Sequence, residues 1–267
     1  EGTGYTSRHR QDLLKCSDTN FRPVDLEFAP DGSLYLLDWH NVLVGHMQHS
    51  ARDPLRDHVH GRVYRITCPG RPLITPDLVH GASIGVLLEN LKLPEYRTRY
   101  RTRRELRGRP ANEVLPALRQ WANGLDKSAP GYEHHLLEAL WVSWGLNKVD
   151  ADLLKQLLAA NDFRVRAAAV RVLRYVGHQV PEQAQLLMAA ADDEHGRVRL
   201  EAIAAASWLA PEQALPIVEA AGTHPIDEWI KPVHDTAMAY LKGQTIDAVP
   251  VAKIPDPTKP LTGEAME

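Results

Sequence analysis

The sequence predicts β and α structure in series: a partial β-propeller blade, then an α-helical solenoid, then an extended Pro-rich tail. Three observations carry this. Residues 20–80 hold only two alanines, Ala29 and Ala51, among frequent Pro, Gly, Asp and His. Residues 151–221 hold 18 alanines, with apolar positions at the helical period that close helix packing requires. Arg99, Arg166 and Arg199 recur at steps of 67 and 33 residues, the second about half the first. Strands followed by helices, without alternation, argue against a parallel βαβ sheet and for segregated units. The expected domains are 1–80 (terminal blade region), 81–243 (helical repeats) and 244–267 (tail).

The strands come first. Pro23 to Phe28 alternates apolar and polar residues, Ala29-Pro-Asp-Gly32 supplies turn chemistry, and Ser33 to Asp38 resumes as a more buried strand, which makes a β-hairpin. A long excursion from Trp39 to Gly61 precedes Arg62 to Thr67, where alternation returns. Three strands with a long second connection form most of a propeller blade, and one blade cannot bury both of its faces alone. Tyr5 to Lys15 is expected to add an edge strand.

The helices repeat. Each anchor arginine has Leu106, Leu173 or Ala206 seven positions on, two turns along the same helix face. A further copy is expected around Tyr132 to Trp141, midway in the longer gap, and a last helix around Trp229 to Ala237. Asn161-Asp162 and Asp192-Asp193 supply capping chemistry, and a second apolar helix follows each copy, as at Val180 to Ala190 and Pro211 to Ala220. Self-similarity at this period means a helical solenoid of about eight to ten helices over residues 83–242.

Composition excludes several function classes. The chain has 267 residues, 44% hydrophobic and 24% charged, enough to bury a sizeable core. A net charge of −3 leaves no chain-wide excess to hold nucleic acid. No stretch reaches the roughly 20 apolar residues of a membrane span, and the opening residues lack signal-peptide character. The chain starts without Met and reads as a piece of something longer. Cys16 and Cys68 are expected to be unpaired, and no Cys-x-x-Cys-His site for covalent haem is present. Neither a Gly-x-Ser-x-Gly elbow nor a phosphate-binding Gly-x-x-x-x-Gly-Lys loop occurs.

Asn20 to Phe28, Pro30-Asp-Gly32, Asp38-Trp-His-Asn41, Gly45 to His49 and Arg52 to Arg65 resemble the closing blade of secreted or membrane-associated dehydrogenase-like proteins of planctomycetes. The propellers of those proteins are similar to quinone-dependent glucose and sorbosone dehydrogenases. Tyr100 to Leu106 and Glu133 to Trp141 resemble the HEAT-type repeats that follow such propellers. The resemblance covers about residues 15–210. It implies a periplasmic or secreted protein that oxidises sugars or alcohols, with pyrroloquinoline quinone or c-type haem in a longer parent and no cofactor assigned to this chain. The alternative is a non-catalytic scaffold on HEAT repeats with a carbohydrate or protein ligand.

The most concentrated chemistry is His40, His46, His49, His58 and His60, five imidazoles in 21 residues, with Asp53, Asp57, Arg52, Arg56 and Arg62 beside them. These ten residues form the candidate binding loop. Imidazole and carboxylate together can hydrogen-bond a sugar or quinone, but the spacing matches no standard zinc template, so no metal is assigned. The catalytic base, if one is here, is not identified by sequence. Its long connection on a β scaffold is where binding residues usually sit. Arg97 to Arg109 puts seven arginines into 13 residues. Glu95 and Glu105 lie alongside, so this run is expected to be a salt-bridged solenoid face and not a nucleic-acid grip. Trp121, Trp141, Trp144, Trp208 and Trp229 are expected in the helical core.

Overall fold

The computed structural model describes residues 2–8, 10–42 and 53–244. The expected tail from 245 on lies outside the described residues. The chain divides into two compact units, residues 7–148 and residues 149–267 together with 1–6.

The first unit opens with a three-stranded antiparallel sheet, β1 (Pro23–Phe28), β2 (Leu34–Asp38) and β3 (Arg62–Ile66), in that spatial order. Gly32, at φ 84°, closes the β1–β2 turn, with Ala29 N–H donating to Ser33 O at 2.8 Å. One face of β2 is buried and carries Leu34, Leu36 and Asp38; Leu34 lies between Phe28 and Ile66, and Leu36 between Leu26 and Tyr64. The burial ends at the central strand. Leu26 and Phe28 on β1 remain 56% and 55% exposed. Sheet closure into a propeller is not seen among the described residues. Residues 5–15 form no strand where described. The physical reason is visible in Thr6-Ser-Arg-His-Arg-Gln-Asp12, a polar run with no period-2 apolar face.

Four helices complete this unit: α1 (Ile84–Asn90), α2 (Tyr96–Arg107), α3 (Ala111–Asn123) and α4 (Tyr132–Gly145). Here α2 packs on α4 and α1 on α3, with Leu87, Leu91, Leu106, Val114 and Leu140 fully buried between them. The second unit has α5 (Ala151–Leu158), α6 (Phe163–Val176), α7 (Gln183–Ala191), α8 (Gly196–Ala206), α9 (Pro211–Ala221) and α10 (Lys231–Leu241), with a short 3₁₀ turn, Gly177–Gln179, after α6. In this unit α6, α8 and α10 run in one layer, while α7 packs beside α9 in the other. Ala169, Ala191, Ala205 and Ala221 are completely buried, so the alanine richness serves close approach of helices.

The arginine register has a structural cause. In all three copies the anchor guanidinium donates through Nη1 to the carbonyls five and six residues before it. Arg99 reaches Leu93 and Pro94 (2.7 and 2.8 Å), Arg166 reaches Ala160 and Asn161 (2.9 and 3.0 Å), and Arg199 reaches Asp193 and Glu194 (2.8 and 3.0 Å). These carbonyls belong to the turn before the helix, where no intrahelical donor is available. The rest of each guanidinium extends forward to the following copy. Arg99 Nε meets Glu138, Arg166 meets Asp193 through two bonds, and Arg199 Nη2 meets Pro225 O. Four residues before each anchor sits the N-cap: Glu95, Asp162 and His195, each accepting from a backbone N–H of the first helical turn.

The expected fourth copy is the α4 helix, but it has no anchor arginine. Its Glu138 side chain is wholly buried and receives Arg99 Nε at 2.9 Å and Arg103 Nη1 at 2.5 Å. Burial pushes the Glu138 carboxyl up, but His134 and Arg103 outweigh it and hold it below the ordinary range. Three of the five remaining arginines of the run follow the salt-bridged pattern, Arg97 with Glu27, Arg101 with Glu95 and Arg109 with Glu105, while Arg104 lies over the Tyr100 ring. The tryptophans correct the core expectation. Trp208 and Trp229 are 60% and 44% exposed, because they stand at helix ends, where periodicity does not fix a buried face.

Candidate functional site

The candidate loop is organised around two carboxylates. Asp38, at the end of β2, has a fully buried side chain; its Oδ1 accepts from Arg22 N–H (2.7 Å) and His40 N–H (2.9 Å), and its Oδ2 from Arg62 Nε (2.6 Å). Burial raises the Asp38 pKa, but these donors outweigh it and the net shift is downward. Arg62 also donates to Asp18 at 2.5 Å, so its charge is committed, and its own pKa is raised, by the Asp18 hydrogen bond first. Arg62 is therefore a structural clamp between two carboxylates.

Asp57 is the second centre. Its Oδ1 accepts from Val59 N–H (2.8 Å) and His60 N–H (3.0 Å), its Oδ2 lies 2.8 Å from His60 Nδ1, and His40 Nε2 is 3.8 Å away. The Val59 amide, then the His60 ring and amide, lower its pKa to about 2. The carboxylate is ionised at any ordinary pH, and it folds the 57–60 turn.

His40 is the unusual member. It sits at φ 54°, in the left-handed region that a β-carbon disfavours, and its backbone is held there by the bond from its N–H to Asp38. The imidazole is about one-fifth exposed, and its Nδ1 is buried without a hydrogen-bond partner. Beside it Arg56 stacks over Trp39, 4.9 Å from the ring centre, with its Nε buried and unpartnered.

The other sequence candidates divide as follows. Asp53 accepts from Leu55 N–H at 2.8 Å and shapes a turn. His58 is exposed to solvent, as is His60 beyond its bond to Asp57. His46, His49 and Arg52 lie outside the described residues. Thus His40 and His60 meet on Asp57, Arg62 belongs to Asp38, and Arg56 belongs to Trp39. Asp18, Arg22 and Trp39 were not singled out by sequence. The Asp18-Thr-Asn20 turn is the signal that could have pointed to the first, since Asn20 N–H donates to Asp18 at 2.8 Å. Cys16 and Cys68 are exposed free thiols, and no group of three or more His, Cys, Asp or Glu is placed to hold a metal among the described residues. No described helix is long and apolar enough to cross a membrane.

Residues 1–69, which include the sheet and this loop, match a domain of unknown function (DUF7133). Residues 151–232, from α5 to the start of α10, match HEAT repeats. No curated protein and no solved structure matches the chain.

Proposed function

We propose that this chain is the terminal part of an extracytoplasmic, dehydrogenase-like protein, in which the loop around Asp38 and Asp57 forms a wall of a sugar- or alcohol-binding site and the HEAT repeats support it. The supporting observation is His40. A non-glycine residue in the left-handed region costs on the order of 1–2 kcal/mol, and such strain concentrates at sites where a side chain must be aimed. Here it leaves the imidazole about one-fifth exposed, with Nε2 3.8 Å from an ionised carboxylate. An imidazole in that setting can accept a proton from a hydroxyl and be stabilised by Asp57 when charged.

The described residues do not by themselves make a seat for a quinone's carboxylates. Arg62 is spent on Asp18 and Asp38, which leaves Arg56 as the one cation in the described loop without a carboxylate partner. Covalent c-type haem has no thiol pair here. No redox step is therefore assigned to this chain.

The test is sugar- and alcohol-dependent dye reduction, with added pyrroloquinoline quinone, by the longest form of the protein that contains this chain, against a His40→Ala form. Loss of turnover in the variant supports the reading, and equal rates remove His40 from it. No turnover in either form favours the second reading, a non-catalytic scaffold for a carbohydrate or protein ligand, to which the HEAT match lends support.

A further inference from the structure

The three anchored copies share one more position. The residue after the N-cap is Tyr96 in the first and Phe163 in the second, but Gly196 in the third. The Phe163 ring fills its slot by stacking on His195, with ring centres 3.5 Å apart and planes 5° from parallel. At Gly196 the slot is open, and the turn formed by residues 2–4 of the same unit occupies it. A β-carbon on Gly196 would lie 2.2 Å from Thr3 Oγ1, so the glycine is what admits Thr3, which is 4% exposed.

The segment is held by specific contacts along its length. Thr3 N–H donates to Asp227 Oδ2 at 2.7 Å, across 224 residues of sequence. Arg197 donates to Thr3 O at 3.4 Å and lies 5.4 Å over the Tyr5 ring. Gly4 lies flat against Trp229, since a β-carbon there would come within 2.3 Å of the indole. Gly2 is at φ 59° with Asp227 below it. The other oxygen of Asp227 accepts from Trp229 and Ile230 N–H, both at 3.1 Å, which fixes the carboxylate at the entry to α10. Burial raises the Asp227 pKa, but these bonds and those from Thr3 bring it to about 2, so it stays charged. Gly2, Thr6, Asp227, Glu228 and Trp229 also line an open cleft of about 460 Å³.

Each position of the segment is thus selected by a different constraint. Position 2 needs a positive φ, position 3 a small polar residue in the hole above Gly196, position 4 no side chain, and position 5 an aromatic ring under a guanidinium. We propose that the edge formed by Gly196, Arg197, Asp227 and Trp229 is a peptide-recognition site for a Gly-Thr-Gly-aromatic turn, and that Gly2–Tyr5 is its resident ligand. The site is independent of the Asp38–Asp57 loop and involves no sugar or quinone.

The test is fluorescence anisotropy with a C-terminally labelled acetyl-Glu-Gly-Thr-Gly-Tyr-Thr-Ser peptide and the intact chain. Gly4→Val in the chain evicts the resident segment by collision with Trp229. That variant should bind the peptide saturably and at least about tenfold more tightly than the parent, whose own segment competes. Adding Gly196→Phe, the residue type that fills this slot at Phe163, should abolish binding while keeping the helical circular dichroism. Asp227→Asn should weaken binding by about tenfold or more, the scale of one charge-assisted hydrogen bond. A peptide with Val in place of its second Gly should not bind. Failure of the Gly4→Val chain to bind the peptide, or binding unaffected by Gly196→Phe, would overturn the proposal.

Discussion

His195 makes the stability of the second unit depend on pH in a way that can be isolated. It is the N-cap of α8, and it performs through Nδ1 the task that Asp162 performs for α6, accepting from Arg197 N–H at 3.1 Å. That bond needs a lone pair on Nδ1, and the imidazolium has none. The fold already disfavours the charged form: burial lowers the His195 pKa, Asp193 opposes this, and Arg166 and Arg199 add to the lowering. The sign follows. A histidine with a folded pKa below its unfolded value of about 6.5 contributes fully above that value, and the contribution is lost as pH falls through the folded pKa. Loss of an N-cap is worth about 1 kcal/mol. His195→Asn retains an acceptor at every pH, because the amide oxygen does not titrate. Urea unfolding followed by circular dichroism at about pH 7.5 and about pH 5 should show the parent losing about 1 kcal/mol more than the variant over that interval. Comparing the change over the interval removes the other titrating groups shared by parent and variant. Identical slopes would refute the role assigned to the ring nitrogen.

Three further outcomes are expected. Glu138→Gln leaves Arg99 and Arg103 facing a neutral amide in a fully buried position, and should cost about 3 kcal/mol or more in urea unfolding, because removing one partner strands a buried charge. Asp57→Ala should accelerate amide hydrogen exchange at Val59 and His60, which donate to that carboxylate. In the parent this protection should persist as pH is lowered until it nears about 2, since the depressed pKa places the loss there and not near 3.8. Gly32→Ala, at φ 84°, should destabilise the β1–β2 turn by about 1 kcal/mol in thermal unfolding, although open space surrounds the site.

The repeat was legible because its period is enforced by chemistry visible in sequence. An arginine that must satisfy two carbonyls of the preceding turn and reach into the next copy can occupy only one register, so Arg99, Arg166 and Arg199 mark equivalent places. The hairpin was legible for a similar reason, since Asp31-Gly32 supplies the turn chemistry between two alternating runs. The α4 copy was found only by spacing, because its role is reversed: it receives the arginine and does not supply one. In the loop, sequence could count imidazoles but could not say which would meet. Convergence of His40 and His60 on Asp57 depends on a left-handed turn at His40, and no composition signal marks a histidine for that conformation. Trp208 misled for a different reason. Its surroundings of Leu and Ala read as core, yet it lies two residues past the end of α8, stacks edge-on with Tyr175 at 5.3 Å and faces solvent.

The departures from the repeat locate its special places better than the repeat itself does. Where Glu95 and Asp162 set a carboxylate cap, His195 sets one that titrates; where Phe163 fills its slot on the His195 ring, Gly196 leaves its own to Thr3. Both changes fall on adjacent residues of one helix entry, and Arg197, the next residue, bonds to both consequences: its N–H to the His195 ring and its guanidinium to Thr3 O. The cap and the segment therefore share one contacting residue. If loss of the cap loosens Arg197, whose guanidinium holds Thr3 O while Asp227 holds the Thr3 N–H, protection of the Thr3 amide should fall with the same pH midpoint as the cap. A Thr3 amide whose exchange protection follows a different midpoint, or is unchanged in His195→Asn, would separate the two and leave the glycine alone responsible for the docked segment.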